Sequence, residues 1–161
     1  MRKHLPAALT DAWLQTDPTN APFQKDMDNW AAISNRTYIW NYVTSFGSYI
    51  QPFPNWYVLG PNIKYFADHG VRGIFEEGSY GTSGGDMDML KDYVMGRMLW
   101  NVTLNPDDVI SEFLTGYFGP AAPFIRYVER LLGALLRARL SSVVSRLSSL
   151  ERTRTVQPSD H

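Results

Sequence analysis

Two adjacent carboxylates, Glu76 and Glu77, close the apolar run Val71-Arg72-Gly73-Ile74-Phe75 and are followed at once by Gly78. Carboxyl groups at a strand terminus can bind hydroxyls in pairs or move protons, and two of them flanking a glycosidic bond can cleave it. A second polar group of the same kind comes earlier, where Trp40-Asn41-Tyr42 falls in the aromatic, β-branched run from Tyr38 to Val43. Tyr80 follows in the glycine-rich loop Gly78 to Gly85. Carboxylate, amide and phenol among aromatic faces make a carbohydrate site: rings cover the C–H faces of a sugar, and Glu and Asn take its hydroxyls. Glu76 and Glu77 are therefore the candidate catalytic residues, and Trp40, Asn41, Tyr42 and Tyr80 the candidate sugar contacts. Neighbouring side chains on a strand point to opposite sides, so at most one glutamate faces a barrel interior. A plainer alternative stays open, with both as loop-edge carboxylates, one ion-paired and one solvated.

Placing these groups requires two strands between helices. Asn20 is a helix cap with Pro22 in the first turn, and Phe23, Met27, Trp30 and Ser34 recur at helical spacing. After the strand Tyr38–Val43 comes an aromatic loop from Thr44 to Trp56, long enough to be more than a connector. A helix is expected from Pro61 to Gly70, then the strand 71–76, then a helix over 86–100 with Met87, Leu90, Val94 and Met98 on one face. Asn105-Pro106-Asp107-Asp108 is a strong helix start and Gly119 its end. Helix from about Phe124 to Leu147 is expected next, Leu132, Leu136, Leu140 and Val144 sharing one face. The order α-β-α-β-α-α holds two strands, expected to pair in parallel. A complete (β/α)₈ barrel takes about 250 residues. The pattern therefore reads as α/β, a C-terminal fragment of a (β/α)₈ TIM barrel with two parallel strands followed by C-terminal helices, whose sheet edges need neighbours.

Composition narrows the function. A net charge of −1 gives no global field toward nucleic acid. No run approaches the ~18 apolar residues of a membrane span. Cysteine is absent, which removes thiolate metal sites, and His4, His69 and His161 have no ligand spacing, so neither metal nor cofactor is expected. The glycine-rich loop lacks the Gly-Lys-Ser/Thr ending of a phosphate cradle, and Glu76, Glu77, Asp86 and Asp88 would repel phosphate. Asp86-x-Asp88 lacks the twelve-residue calcium-loop pattern. The compartment stays unassigned: Leu5 to Leu9 is too short for a signal-peptide core, while the sequons at Asn35 and Asn101 would suit a secreted parent protein.

Several motifs in fixed order carry a resemblance over about residues 20–130. They are Tyr38-Ile39-Trp40-Asn41-Tyr42, Pro52-Phe53-Pro54-Asn55, Asn62-Ile63-Lys64-Tyr65-Phe66, His69-Gly70-Val71-Arg72-Gly73-Ile74-Phe75-Glu76-Glu77-Gly78 and Glu112-Phe113-Leu114 with Gly116-Tyr117-Phe118-Gly119. Together they resemble an uncharacterised family of glycoside-hydrolase-like (β/α)₈ barrels, related in layout to α-glucuronidases and β-hexosaminidases. The resemblance implies the last two barrel strands, supplying sugar-hydroxyl ligands or one member of a base pair of carboxylates. Many members of that family carry Asp where this chain has Asn41; an amide is no general base, so Asn41 is a hydrogen-bonding ligand.

The expected organisation is a weakly patterned segment 1–19, partial barrel βα units over 20–119, a helical segment 120–150 and a disordered tail 151–161. The expected function is a portion of a glycoside hydrolase acting on a hexosaminide or glucuronide, incomplete without the rest of its own barrel. The alternative is a non-catalytic carbohydrate-binding or degenerate barrel remnant. Its partner is a carbohydrate, with no nucleic acid and no membrane.

Overall fold

A computed structural model describes residues 20–135. Six helical or extended elements lead into a short 3₁₀ turn. Helix α1 (Ala21–Ile33) precedes strand β1 (Thr37–Tyr42); helix α2 (Trp56–Asp68) precedes strand β2 (Val71–Glu77); helices α3 (Asp88–Trp100) and α4 (Pro106–Phe118) follow. The turn Gly119–Ala121 then passes into helix α5, described over 122–135. The segment 1–19, the positions Leu136, Leu140 and Val144, and the tail 151–161 lie outside the described residues.

The two strands pair in parallel, as their β-rich runs separated by a helix require. Tyr38 lies opposite Gly73, Trp40 opposite Phe75, Asn41 opposite Glu76 and Tyr42 opposite Glu77, with an irregularity between Thr37 and Tyr38. The ladder continues one step, Val43 N–H donating to the Glu77 carbonyl at 3.0 Å. One sheet face is covered. Ile39 and Ile74 pack there against Met27 of α1 and Tyr65 and Phe66 of α2. Its other face carries Tyr38, Trp40 and Phe75, all more than half exposed.

The main core lies between α2, α3 and α4, built on Trp56, Leu59, Ile63, Leu90, Val94, Met98, Ile110 and Leu114, with Val43 from the end of β1. α4 starts as its sequence dictates: Asn105 accepts the Asp107 N–H at 3.0 Å. It stops at Gly119, whose φ of 53° an L side chain rarely adopts. α5 buries Ala122 and Glu129 while Phe124 and Tyr127 stay exposed.

One helix start differs from expectation, and one expected cap lacks its hydrogen bond. α2 begins at Trp56, not Pro61, and the proline lies inside the helix. Proline there lacks the N–H that would bond four residues back. Burial of Trp56, Val58, Leu59 and Ile63 offsets that cost, because apolar area outweighs one lost hydrogen bond. At α1, Asn20 occupies the cap position, but its side chain makes no cap hydrogen bond and is buried instead.

Helices α2 and α4 approach closely at Gly60, where an added Cβ would stand 2.8 Å from the Pro106 side chain. Gly60→Ala should therefore destabilise the fold by about 1–3 kcal/mol through overpacking. Gly96 in α3 meets nothing within 4 Å, so Gly96→Ala should stabilise by roughly 0.5–1 kcal/mol through helix propensity. Urea denaturation of both variants checks this pair of opposite signs.

Candidate functional site

The parallel register brings the polar ends of both strands to one rim. Asn41 Nδ2 donates to Glu76 Oε2 at 2.9 Å, and Trp40 Nε1 donates to Glu77 Oε2 at 2.7 Å. Alternation along β2 puts Glu77 on the open face with Phe75, and Glu76 on the side of Ile74 and the helices. Trp40 meets the Phe75 ring edge-on, centroids 5.0 Å apart, beside the Glu77 carboxylate. The two glutamates thus stand in different surroundings. Burial pushes the Glu76 carboxyl up from an ordinary 4.5 to about 7, against the opposing pull of the Asn41 hydrogen bond. Such a group can hold or release a proton near neutrality.

A loop follows the end of each strand. Phe46 links Tyr42, Tyr49 and Tyr80, its ring centroid 5.4, 6.0 and 6.1 Å from theirs. Asp86 ties this aromatic loop to the glycine-rich one. Its N–H donates to the Tyr49 carbonyl at 2.8 Å, and its Oδ2 accepts the Phe53 N–H at 2.9 Å. Lys91 stands 3.6 Å from that same Oδ2 and over the Phe53 ring at 5.4 Å, with only 2% of its side chain exposed. Burial pulls the Lys91 ammonium down, while Asp86, Asp88 and Glu129 hold it up. Ser79 Oγ donates to Asp88, tying the glycine-rich loop to the start of α3, and Asn55 Nδ2 donates to the Val43 carbonyl at 3.0 Å, tying the aromatic loop to the end of β1.

Beside β2 the glycine-rich loop, the start of α3 and the end of α4 line an open cavity of about 820 Å³. Of the residues singled out in the sequence, Glu76, Glu77 and Tyr80 line it. Trp40 and Asn41 reach their glutamates from the neighbouring strand, and Tyr42 joins the Phe46 cluster. Lys91, Asp92, Phe113 and Tyr117 also line the cavity and were not singled out as site residues. Lys91 carried a weak signal, a lone lysine on the apolar side of α3 between Leu90 and Val94. Among the described residues no group of three His, Asp or Glu side chains could hold a metal ion, and no helix is long and apolar enough to cross a membrane.

The described residues form a mixed α/β unit with a two-stranded parallel sheet, the polar end of β2 lying at the cavity. The family described as Domain of unknown function (DUF4838) matches residues 11–129, and the chain belongs to that family. No curated protein and no solved structure matches the chain.

Burial of Glu76 has a consequence for stability. Below pH 4.5 the group is protonated whether the chain is folded or not. Between 4.5 and about 7 the unfolded chain gives up a proton that the folded one keeps, so stability falls as pH rises through this window and levels off above it. Glu76→Gln removes that slope. Relative to the variant, the wild type should lose about 1–3 kcal/mol across the window, read from urea midpoints at stepped pH.

Proposed function

We propose that this chain is the C-terminal part of a (β/α)₈ barrel that processes carbohydrate, with β1 and β2 as its last two strands. The observation that carries the reading is the pairing of Asn41 with Glu76 and of Trp40 with Glu77 at the strand termini. In parallel βα arrays that end of the sheet is where substrates bind. A helix-covered face opposite one bearing exposed Tyr38, Trp40 and Phe75 supports the same reading, since a barrel strand has a helix side and an inner side. The open edges of the two strands are then completed by the remaining barrel strands.

In this reading the parent protein hydrolyses an O-glycosidic bond of hexosaminide or glucuronide type. Glu77 meets the sugar from the inner side, held by Trp40; Glu76 is the proton-carrying group, oriented by Asn41. Trp40, Tyr42 and Tyr80 cover apolar sugar faces. Glycoside cleavage needs two carboxyl groups across the bond, about 5–10 Å apart. Glu76 and Glu77 lie on opposite sides of one strand, so the partner carboxyl comes from another barrel strand. That same arrangement favours the second reading, a non-catalytic carbohydrate-binding remnant in which these residues bind sugar and nothing is cleaved.

Hydrolysis of chromogenic hexosaminides and glucuronides by the intact protein separates the two. The catalytic reading expects turnover that falls about 10²–10⁴-fold in Glu76→Gln or Glu77→Gln. Unchanged rates in both variants would remove the glutamates from the mechanism, and sugar binding without any turnover would establish the remnant.

A further inference from the structure

Helix α5 has two apolar faces and uses one of them. On the used side Ala122 and Glu129 are buried and Ile125 packs against the main core. Arg126 anchors that side on α4, donating to Ser111 Oγ at 2.7 Å and standing 3.6 Å from the Asp107 carboxylate. On the opposite side lie Phe124, Tyr127, Val128, Leu131 and Leu135, each between 46% and 72% exposed. With 3.6 residues to the turn, these five share an arc of about 100°. A helix that is apolar on both sides belongs between two layers, and the described residues supply one.

The spacing of the exposed stripe says what fits it. Phe124, Val128, Leu131 and Leu135 follow one another at steps of four, three and four residues, the interval of a coiled-coil seam. Those steps read the same in both directions. A two-fold axis between Val128 and Leu131 therefore lays an antiparallel copy with its Leu135 against Phe124 and its Leu131 against Val128, a large side chain meeting a smaller one at each end. The flanking residues Ile125, Leu132 and Ala134 are uncharged, and Arg130 points about 100° away from Leu131 around the helix. Pairing thus brings no like charges together, and antiparallel helices set opposite ends of their dipoles side by side.

From this we infer that a second copy of the chain covers this face, α5 pairing antiparallel with α5 about a two-fold axis. The stripe exposes roughly 500 Å² on each copy, so pairing removes about 1,000 Å² in all, the size at which a specific interface begins. The pairing goes beyond the carbohydrate reading and does not depend on it.

Sedimentation equilibrium of the full chain at a concentration on the order of 100 μM should give twice the monomer mass. Val128→Glu and Leu131→Glu, both at exposed positions, should each return the mass to that of the monomer with the circular dichroism spectrum unchanged. Tyr38→Ser, on the open sheet face, should leave the dimer intact. Because the chain has no cysteine, introduced thiols report the register cleanly. Phe124→Cys copies mixed with Leu135→Cys copies should join by a disulfide on oxidation. Phe124→Cys copies alone should not, since the pairing holds their thiols about 16 Å apart along the helix axis. A monomer at that concentration, a dimer that survives both glutamate substitutions, or a dimer lost in Tyr38→Ser would overturn the inference. So would a disulfide in Phe124→Cys alone, which requires parallel helices.

Discussion

The register of β1 against β2 is the constraint on which the rest depends. Parallel strands cannot be joined by a tight turn, so the chain must return through α2, and both strands then end at the same rim. With Asn41 opposite Glu76 and Tyr42 opposite Glu77, each glutamate finds a donor on the neighbouring strand. Slipping the pairing by one residue would turn each side chain to the other face and break both bonds. The irregularity between Thr37 and Tyr38 absorbs one residue at the far end of the pair and leaves the remaining steps in line.

Energetically, the rim is tied together by buried charge. Asp86 takes the Phe53 N–H and the Lys91 ammonium on one carboxylate, and its own N–H reaches Tyr49. The aromatic loop, the glycine-rich loop and α3 are thereby joined at one residue. Removing one partner of such a buried pair leaves the other charge unpaired, a larger penalty than the pair's own net worth. Glu129 brings α5 into the same neighbourhood, its carboxyl raised first by burial and then by Asp86. The described part of the segment 120–150 is thus joined to the surroundings of Lys91 through Glu129.

Much of the local structure was legible because single residues set it. Asn105-Pro106 starts a helix and Gly119 ends it by backbone chemistry alone. Tyr38–Val43 and Val71–Glu76 are recognisable as strands because their β-branched and aromatic side chains fit a pleated surface. Pro61 misleads because a proline is as compatible with a first turn as with a tolerated interior position, and only the packing of Trp56 and Val58 decides between them. The covered or open position of each glutamate was not legible either. Alternation says that Glu76 and Glu77 differ, but which one is covered depends on where α1 and α2 pack. Lys91 was missed for a related reason: its acids, at positions 86, 88 and 129, converge only in the fold.

Everything at the rim turns on Glu76 as a half-buried carboxyl held by Asn41. Carbon-13 NMR of the Glu76 side-chain carboxyl across a pH series measures this directly, in the wild type and in Asn41→Ala. The wild-type midpoint should lie at about 7, and loss of the amide, whose hydrogen bond pulls the value down, should move it higher. A wild-type midpoint at the ordinary 4.5, or a downward shift in Asn41→Ala, would contradict the account.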